Sequence, residues 1–288
     1  MRMVKVQIQG SKMNGKIICI NASIHRVLLE NNTIVDTKVR GKIRNMNIAP
    51  VVGDNVIVNK ETNTIEKILP RKNCLDRPLV SNIDKLLIVM STSIPVFSSY
   101  LIDKFLLIAA SNNIEPVIII TKTDMISLKE KNDVKRYMNY YRHIGIKTYI
   151  NTSVSKIRNE LKNSVVALCG QTGSGKSSLL NRIDASLHLK TGEVSESLGR
   201  GKHTTRLVEL LEVNGGLIAD TPGFSSLELK MDKKEIKKYY NDFDHPCKYR
   251  SCLHVKEDGC SIIELVEKGK IPRWRYDNYL KLINEVSK

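Results

Sequence analysis

Three parts are predicted for this chain: a small N-terminal β-barrel, a central α/β domain carrying a phosphate-binding loop, and a short C-terminal unit organised by a metal. Turn-rich β-type segments fill the start. Apolar strands alternating with helical patterns fill the middle, and three cysteines with one histidine sit in a polar stretch near the end. With 288 residues and 41% hydrophobic content the chain is long enough for separate cores in the larger parts.

The barrel comes first. From Val4 to about Leu69 short runs such as Lys16-Ile17-Ile18-Cys19-Ile20, Ile24-His25-Arg26-Val27-Leu28-Leu29 and Val56-Ile57-Val58 are separated by Asn, Gly and Asp. Such residues turn a chain cheaply, and a five-stranded oligonucleotide-binding (OB) barrel has this size. Lys38, Arg40, Lys42 and Arg44 give it a basic edge, which reads either as an RNA contact or as a charged hairpin with no ligand.

After Pro70-Arg71-Lys72 the texture changes. Leu86–Met90 and Pro116–Thr121 read as buried parallel strands with a helix near Ser99–Ser111 between them. A second helix near Ser127–Ile144 leads to a strand at Lys147–Ile150. Val165–Cys169 feeds a glycine-rich loop, and Leu207–Val213 and Leu217–Ala219 complete the sheet. The expected boundaries are 1–70 for the barrel, 71–228 for the α/β domain and 229–288 for the C-terminal unit.

The loop Gly170-Gln171-Thr172-Gly173-Ser174-Gly175-Lys176-Ser177, followed by Ser178, satisfies G-x-x-x-x-G-K-[ST] between a strand and a helix. Its glycines let backbone N–H groups wrap phosphates, Lys176 neutralises phosphate oxygens, and the Ser177 hydroxyl suits Mg²⁺. Asp220-Thr221-Pro222-Gly223 closes a strand and resembles the D-x-x-G of GTPases, with Asp220 toward Mg²⁺ and the Gly223 amide toward the terminal phosphate. Thr121-Lys122-Thr123-Asp124 resembles their guanine-reading loop, where Asp124 would accept from N1–H and N2–H₂ of guanine and so reject adenine. Thr121 replaces the usual Asn. Thr152-Ser153-Val154 resembles the loop whose backbone N–H meets guanine O6, although a plain helix N-cap explains it nearly as well. The guanine motif precedes the phosphate loop instead of following it, so the chain resembles a circularly permuted GTPase.

Cys247-x4-Cys252-x-His254-x5-Cys260 offers three thiolates and an imidazole, a set suited to tetrahedral zinc. With all four positions filled by protein, the ion would be structural. The remaining cysteines, Cys19, Cys74 and Cys169, lie in apolar settings and read as buried free thiols.

Together with Gly199-Arg200-Gly201-Lys202-His203-Thr204-Thr205 and Arg275-Tyr276, these motifs in this order resemble the ribosome small-subunit-dependent GTPase family, RsgA, over nearly the whole chain. The resemblance implies GTP hydrolysis to GDP, late maturation of the small ribosomal subunit, and contact with its rRNA. It also implies that His203 is catalytic, because Phe224 stands where many GTPases place the water-orienting glutamine, the other reading being that His203 only contacts ribosomal RNA or solvent; Lys176, which neutralises phosphate charge, is the second catalytic candidate. Thr204 or Thr205 would join Ser177 and Asp220 around Mg²⁺. Two other readings stay open: an RNA-binding module with nucleotide as a structural ligand, and a GTPase acting on another RNA or on the large subunit.

A formal charge of +16 favours a polyanionic partner, nucleic acid ahead of an anionic membrane surface. Apolar runs are far shorter than the roughly 20 residues of a membrane helix, and the start lacks a secretory segment. A cytoplasmic monomer that does not engage membranes is expected.

Overall fold

The computed structural model describes residues 12–40, 49–76, 78–189, 208–220 and 229–286, with Asp220 described by its backbone alone. The chain divides into two compact units. The first holds the residues up to Asp84, Leu161–Ala167 and Gly199–Pro222; the second holds Lys85–Glu160, Leu168–Leu198 and Gly223–Lys288.

In the first unit, β1 (Lys12–Asn21), β2 (Ile24–Leu29), β3 (Ile34–Val39), β4 (Asn55–Asn59) and β5 (Thr64–Ile68) close into a barrel. β1 pairs antiparallel with β2 and β4, β2 with β3, and β4 with β5, while β3 lies parallel to β5. Alternation puts Ile17, Val27, Leu29, Val56, Val58 and Ile65 inside, each at most 1% exposed. At about 25 cal/mol per Å² of apolar surface removed from water, each such side chain contributes roughly 1.5–3 kcal/mol. Gly15 is required here: a Cβ would meet Val27 Cγ1 at 2.5 Å.

β1 does more than close the barrel. Its register slips between Ile17 and Cys19, and beyond this bulge Cys19 pairs with Glu209 at the start of a separate hairpin. Between barrel and hairpin in sequence lie β6 (Cys74–Asp76) and β7 (Leu79–Ser81), a small antiparallel pair. The fully buried Asp54 fastens this connection. It accepts from Arg71 Nε at 2.7 Å, Arg71 Nη2 at 2.8 Å, Ser81 Oγ at 2.7 Å and the Val51 amide at 2.8 Å, so every side of the carboxylate is answered.

β11 (Val165–Cys169) runs parallel to β13 (Gly216–Asp220), and β13 forms the hairpin with β12 (Glu209–Val213). Asn214 and Gly215, with φ of 51° and 73°, make the two-residue turn that suits right-twisted strands.

The second unit carries β8 (Lys85–Ser91), β9 (Glu115–Thr121) and β10 (Lys147–Ile150), parallel in the order β10–β9–β8. Leu86–Met90 are fully buried, as a parallel strand covered on both faces requires. α1 (Ser99–Ser111) and α2 (Leu128–His143) are the crossovers. Ser98 caps α1, and Ser127 with Glu130 forms a capping box on α2. α3 (Val154–Leu161) and α4 (Lys176–Ile183) follow β10 and β11.

The C-terminal stretch folds as α5 (Lys233–Tyr239), α6 (Ser261–Glu267) and α7 (Arg273–Glu285). Gly269, with φ of 67°, and Pro272 split the amphipathic run into two helices. α7 is bolted to α1 by a buried ion network. Arg275 meets Asp103 at 2.5 Å and grips Asp242 with Nε and Nη2 at 2.9 and 2.8 Å. Tyr141, Asn278 and Tyr240 also donate to Asp103, at 2.7, 2.8 and 3.2 Å.

One expectation needs correcting. Of the cysteines read as buried thiols only Cys169 is buried; Cys19 and Cys74 are partly exposed. Cys19 lies next to the register shift in β1, where the inside–outside alternation is broken.

Candidate nucleotide site and metal centre

The phosphate loop leaves β11 at Gly170 with φ of 136°, where a Cβ would meet the Val89 carbonyl oxygen at 2.1 Å. Only glycine fits so close a backbone approach. Gly173 and Gly175 also have positive φ, 79° and 91°, and Gly175 is the N-cap of α4. Lys176 lies inside the loop, where its Nζ donates to the carbonyls of Gly170 at 2.9 Å and Gln171 at 2.8 Å. Burial pulls its pKa below the usual lysine range. The ammonium is thus held among neutral acceptors, where an anion would bind it more strongly than they do. Ser177 and Ser178 follow in the first turn of α4.

Thr121 ends β9 beside this loop. Its hydroxyl donates to the Ser174 carbonyl at 2.6 Å and approaches the Met90 carbonyl at 3.3 Å, and the side chain is 2% exposed. Residues 53 apart in sequence are therefore joined directly. Lys122 takes φ of 58°, and the Met125 amide donates to its carbonyl at 3.0 Å, so the chain turns sharply after β9. Thr123 and Asp124 lie in that turn. Asp124 is exposed and its carboxylate has no hydrogen-bond or ion-pair partner among the described residues, which leaves it free to accept from a ligand. Ser153 sits at the entry to α3: its amide donates to Ile150 and its carbonyl accepts from Ile157, the geometry of a helix start, with Val154 the first helical residue.

Sequence reasoning missed the segment after β8. Thr92 Oγ1 donates to the Lys122 carbonyl at 2.7 Å, and Lys122 Nζ donates to the Ile94 carbonyl. Pro95 lies 3.7 Å from where a Cβ of Gly173 would be. Its only signal was a Thr-Ser-Ile-Pro turn after a buried strand. Two buried polar atoms of the phosphate loop, Gln171 Oε1 and Ser174 Oγ, have no partner among the described residues. Polar atoms left open in this way fit a loop that receives a polar ligand.

Asp220 ends β13 opposite Glu209. His203, Thr204, Thr205 and Gly223 lie outside the described residues.

Cys247, Cys252, His254 and Cys260 converge, with their ligand atoms all within 4.8 Å of one another. His254 Nδ1 lies 3.5, 3.5 and 3.3 Å from the sulfurs of Cys247, Cys252 and Cys260, and the Cys247 and Cys260 sulfurs are 3.9 Å apart. Tetrahedral zinc with its usual bond lengths sets sulfur–sulfur and sulfur–nitrogen edges of about 3.8 and about 3.5 Å. The four donors fit such an ion. Burial pushes the His254 pKa down to about 4, which keeps the imidazole neutral as a ligand must be.

A surrounding shell fixes the ligand loop. Burial disfavours the charge on Glu257, but N–H donors from Leu253, Val255 and Lys256 at 2.7, 2.8 and 3.0 Å hold its pKa down at about 2. Tyr276 and Tyr279 donate to the carbonyls of His254 and Leu253 at 2.9 and 2.7 Å.

Comparison with known proteins agrees with this geometry. Residues 68–230 match the family model described as RsgA GTPase, and residues 14–66 match the RsgA N-terminal domain. A protein of Caldanaerobacter subterraneus subsp. tengcongensis named small ribosomal subunit biogenesis GTPase RsgA is 41% identical over 287 residues, covering 96% of both chains. One of the same name from Staphylococcus haemolyticus is 42% identical over 283 residues, covering 95% of this chain and 97% of its own. The crystal structure of YjeQ from Thermotoga maritima superposes with a TM-score of 0.83 at 32% identity, covering 95% of this chain and 98% of its own. YloQ, described as a circularly permuted GTPase, gives 0.83 and 32%, covering 99% and 98%.

Proposed function

The chain belongs to the RsgA GTPase family, and from that premise we propose that it hydrolyses GTP as a late assembly factor of the small ribosomal subunit. The observation that carries this reading is the Thr121–Ser174 bond. It joins the guanine-type loop to the phosphate loop although their order in sequence is reversed. A permuted GTPase needs that junction.

Asp124 would accept from the guanine N1–H and N2–H₂ while Lys122 lies along the ring, with Thr121 and Thr123 shaping the turn and Ser153 and Val154 bordering the base. Gly170, Gln171, Thr172, Gly173, Ser174, Gly175 and Ser178 would present the backbone to the phosphates, and the Gly223 amide would meet the γ-phosphate. Lys176 would exchange its two carbonyl acceptors for phosphate oxygens, an exchange that its desolvated ammonium favours. Ser177 and Asp220, with Thr204 or Thr205, would hold Mg²⁺, which neutralises charge on the β- and γ-phosphates when bound. His203 would orient the attacking water.

Cys247, Cys252, His254 and Cys260 would hold one structural zinc. Supported by the charge of +16, the partners are the small subunit and its rRNA, engaged by a cytoplasmic monomer. The working boundaries are 1–70, 71–228 and 229–288. Among the described residues no helix is long and apolar enough to cross a membrane.

The test is GTP turnover by the purified chain at fixed salt, alone and with isolated small or large subunits, with ATP as control. Stimulation by small subunits alone is expected. Turnover that no subunit raises, despite tight GTP binding, would move the reading to a binding module.

A further inference from the structure

Away from the phosphate loop, the first unit contains a cleft of about 510 Å³, bounded by the barrel strands β1 and β4, the start of β11 and the turn between β12 and β13. That volume is within the range of small-molecule sites. Five features of its lining together point to a ligand.

Lys16, on β1, is half-buried in the cleft wall. Its ammonium donates to Asn55 Oδ1 at 2.7 Å and to the Gly53 carbonyl at 3.2 Å, both neutral acceptors. Among the described residues no carboxylate lies within ion-pair distance of it. The two that act on it from further away, Asp84 and Asp54, are already engaged by Lys72 and Arg71. A cation taken out of water without a counter-ion costs stability, and burial accordingly draws its pKa below 10.5.

Lys72 borders the same space, paired with Asp84, which also lines the cleft, so an anion at Lys16 would lie beside a second ammonium that already has a partner. Asn32 and Asn163 also line it, and among the described residues their side-chain amides make no hydrogen bond. They supply donors and acceptors for a polar body beyond the anion. Leu28 and Leu217 give apolar wall. Finally Glu212, exposed at the cleft, disfavours a multiply charged chain of phosphates.

We propose that this cleft binds a nucleoside monophosphate, free or as the end of an RNA strand, with the phosphate at Lys16 and Lys72 and the nucleoside against Asn32 and Asn163. One phosphate satisfies the unpaired ammonium, the amides suit a base edge or ribose hydroxyls, and the volume exceeds what phosphate alone would fill. This site is separate from the proposed GTP site and does not depend on it.

The experiment is calorimetric titration of the full chain, saturated with GDP and Mg²⁺, with AMP, CMP, inorganic phosphate and a 5′-phosphorylated diribonucleotide. Mononucleotide binding is expected, with affinity at least tenfold weaker in Lys16→Gln. A free-nucleotide ligand leaves the dinucleotide no tighter than AMP, whereas an RNA end makes it tighter. Asn32→Gly with Asn163→Gly provides a second variant. Glycine tolerates the left-handed φ of 61° and 52° at these positions, so the backbone is kept while the amides are lost. That variant should lose mononucleotide affinity but keep phosphate affinity.

Thermal melting without ligand separates structure from binding. Lys16→Met should melt at or above the parent temperature, because it removes a desolvated, unpaired charge. A drop of several degrees would mean that Lys16 serves only to clamp Asn55 and Gly53, and would overturn the proposal. So would the absence of mononucleotide binding at millimolar concentration, or equal binding by the parent and Lys16→Gln.

Discussion

Replacing Thr121 by valine removes one hydroxyl and almost no volume, yet it should weaken guanine nucleotide binding by roughly tenfold. The hydroxyl donates to the Ser174 carbonyl at 2.6 Å, a short and well-formed bond, and both residues are buried. Deleting one partner of a buried pair costs about 1–3 kcal/mol, because the group left behind has no water to turn to. Part of that loss lowers the melting temperature. The rest falls on nucleotide binding, since base and phosphates are gripped by two loops that no longer share a fixed spacing, and about 1.4 kcal/mol is tenfold in affinity. Fluorescence titration with a labelled GDP measures it, beside Thr121→Ser, which keeps the donor and should stay near the parent. Valine and parent affinities within twofold of each other would refute the reasoning, and a parent chain that fails to bind GDP would instead refute the nucleotide site itself.

Metal analysis should find about one zinc per chain, and Cys252→Ser or strong chelation should release it and loosen the C-terminal helices, seen as lost protection in hydrogen exchange. His203→Ala should abolish subunit-stimulated hydrolysis while GDP affinity is kept; undiminished stimulated turnover would remove His203 from the mechanism. Glu160 accepts from Lys85 at 2.7 Å, Tyr149 at 2.9 Å and Lys147 at 3.1 Å. Burial alone would raise its pKa, but these donors prevail and hold it below 4.5. A carboxylate depressed in the folded state adds stability fully present above its unfolded pKa and lost as pH falls through the folded one. Stability should therefore drop from about pH 4.5 downward, and Glu160→Gln, costing about 2–3 kcal/mol at pH 7, should flatten that acid limb in chemical denaturation.

Local signals were legible in the sequence, and distant partnerships were not. The phosphate loop, the helix at Ser99–Ser111 and the four metal donors depend on residue types at fixed short spacings, so a linear reading finds them. The barrel's closure was different. Pairing β3 with β5 in parallel is a choice between strands that all alternate in the same way, and only the packed core decides it. Asp103, Asp242 and Arg275 each look like ordinary surface charges in their own segments. Their burial follows from helices far apart in sequence meeting, and no local pattern announces that. Thr121 was recognised as a departure from the usual Asn. That its shorter side chain still reaches the phosphate loop is a matter of backbone distance, which the sequence does not contain.

The bulge in β1 has a mechanical consequence. Because one strand closes the barrel with its first half and pairs with Glu209 beyond the bulge, barrel and hairpin belong to one hydrogen-bonded sheet. Torque applied to the barrel by any large body it grips would pass as shear through the ladder to residue 209. That residue adjoins the segment that contains His203, so the strand would serve as a stiff pushrod where a tethered barrel would absorb the motion in its linker.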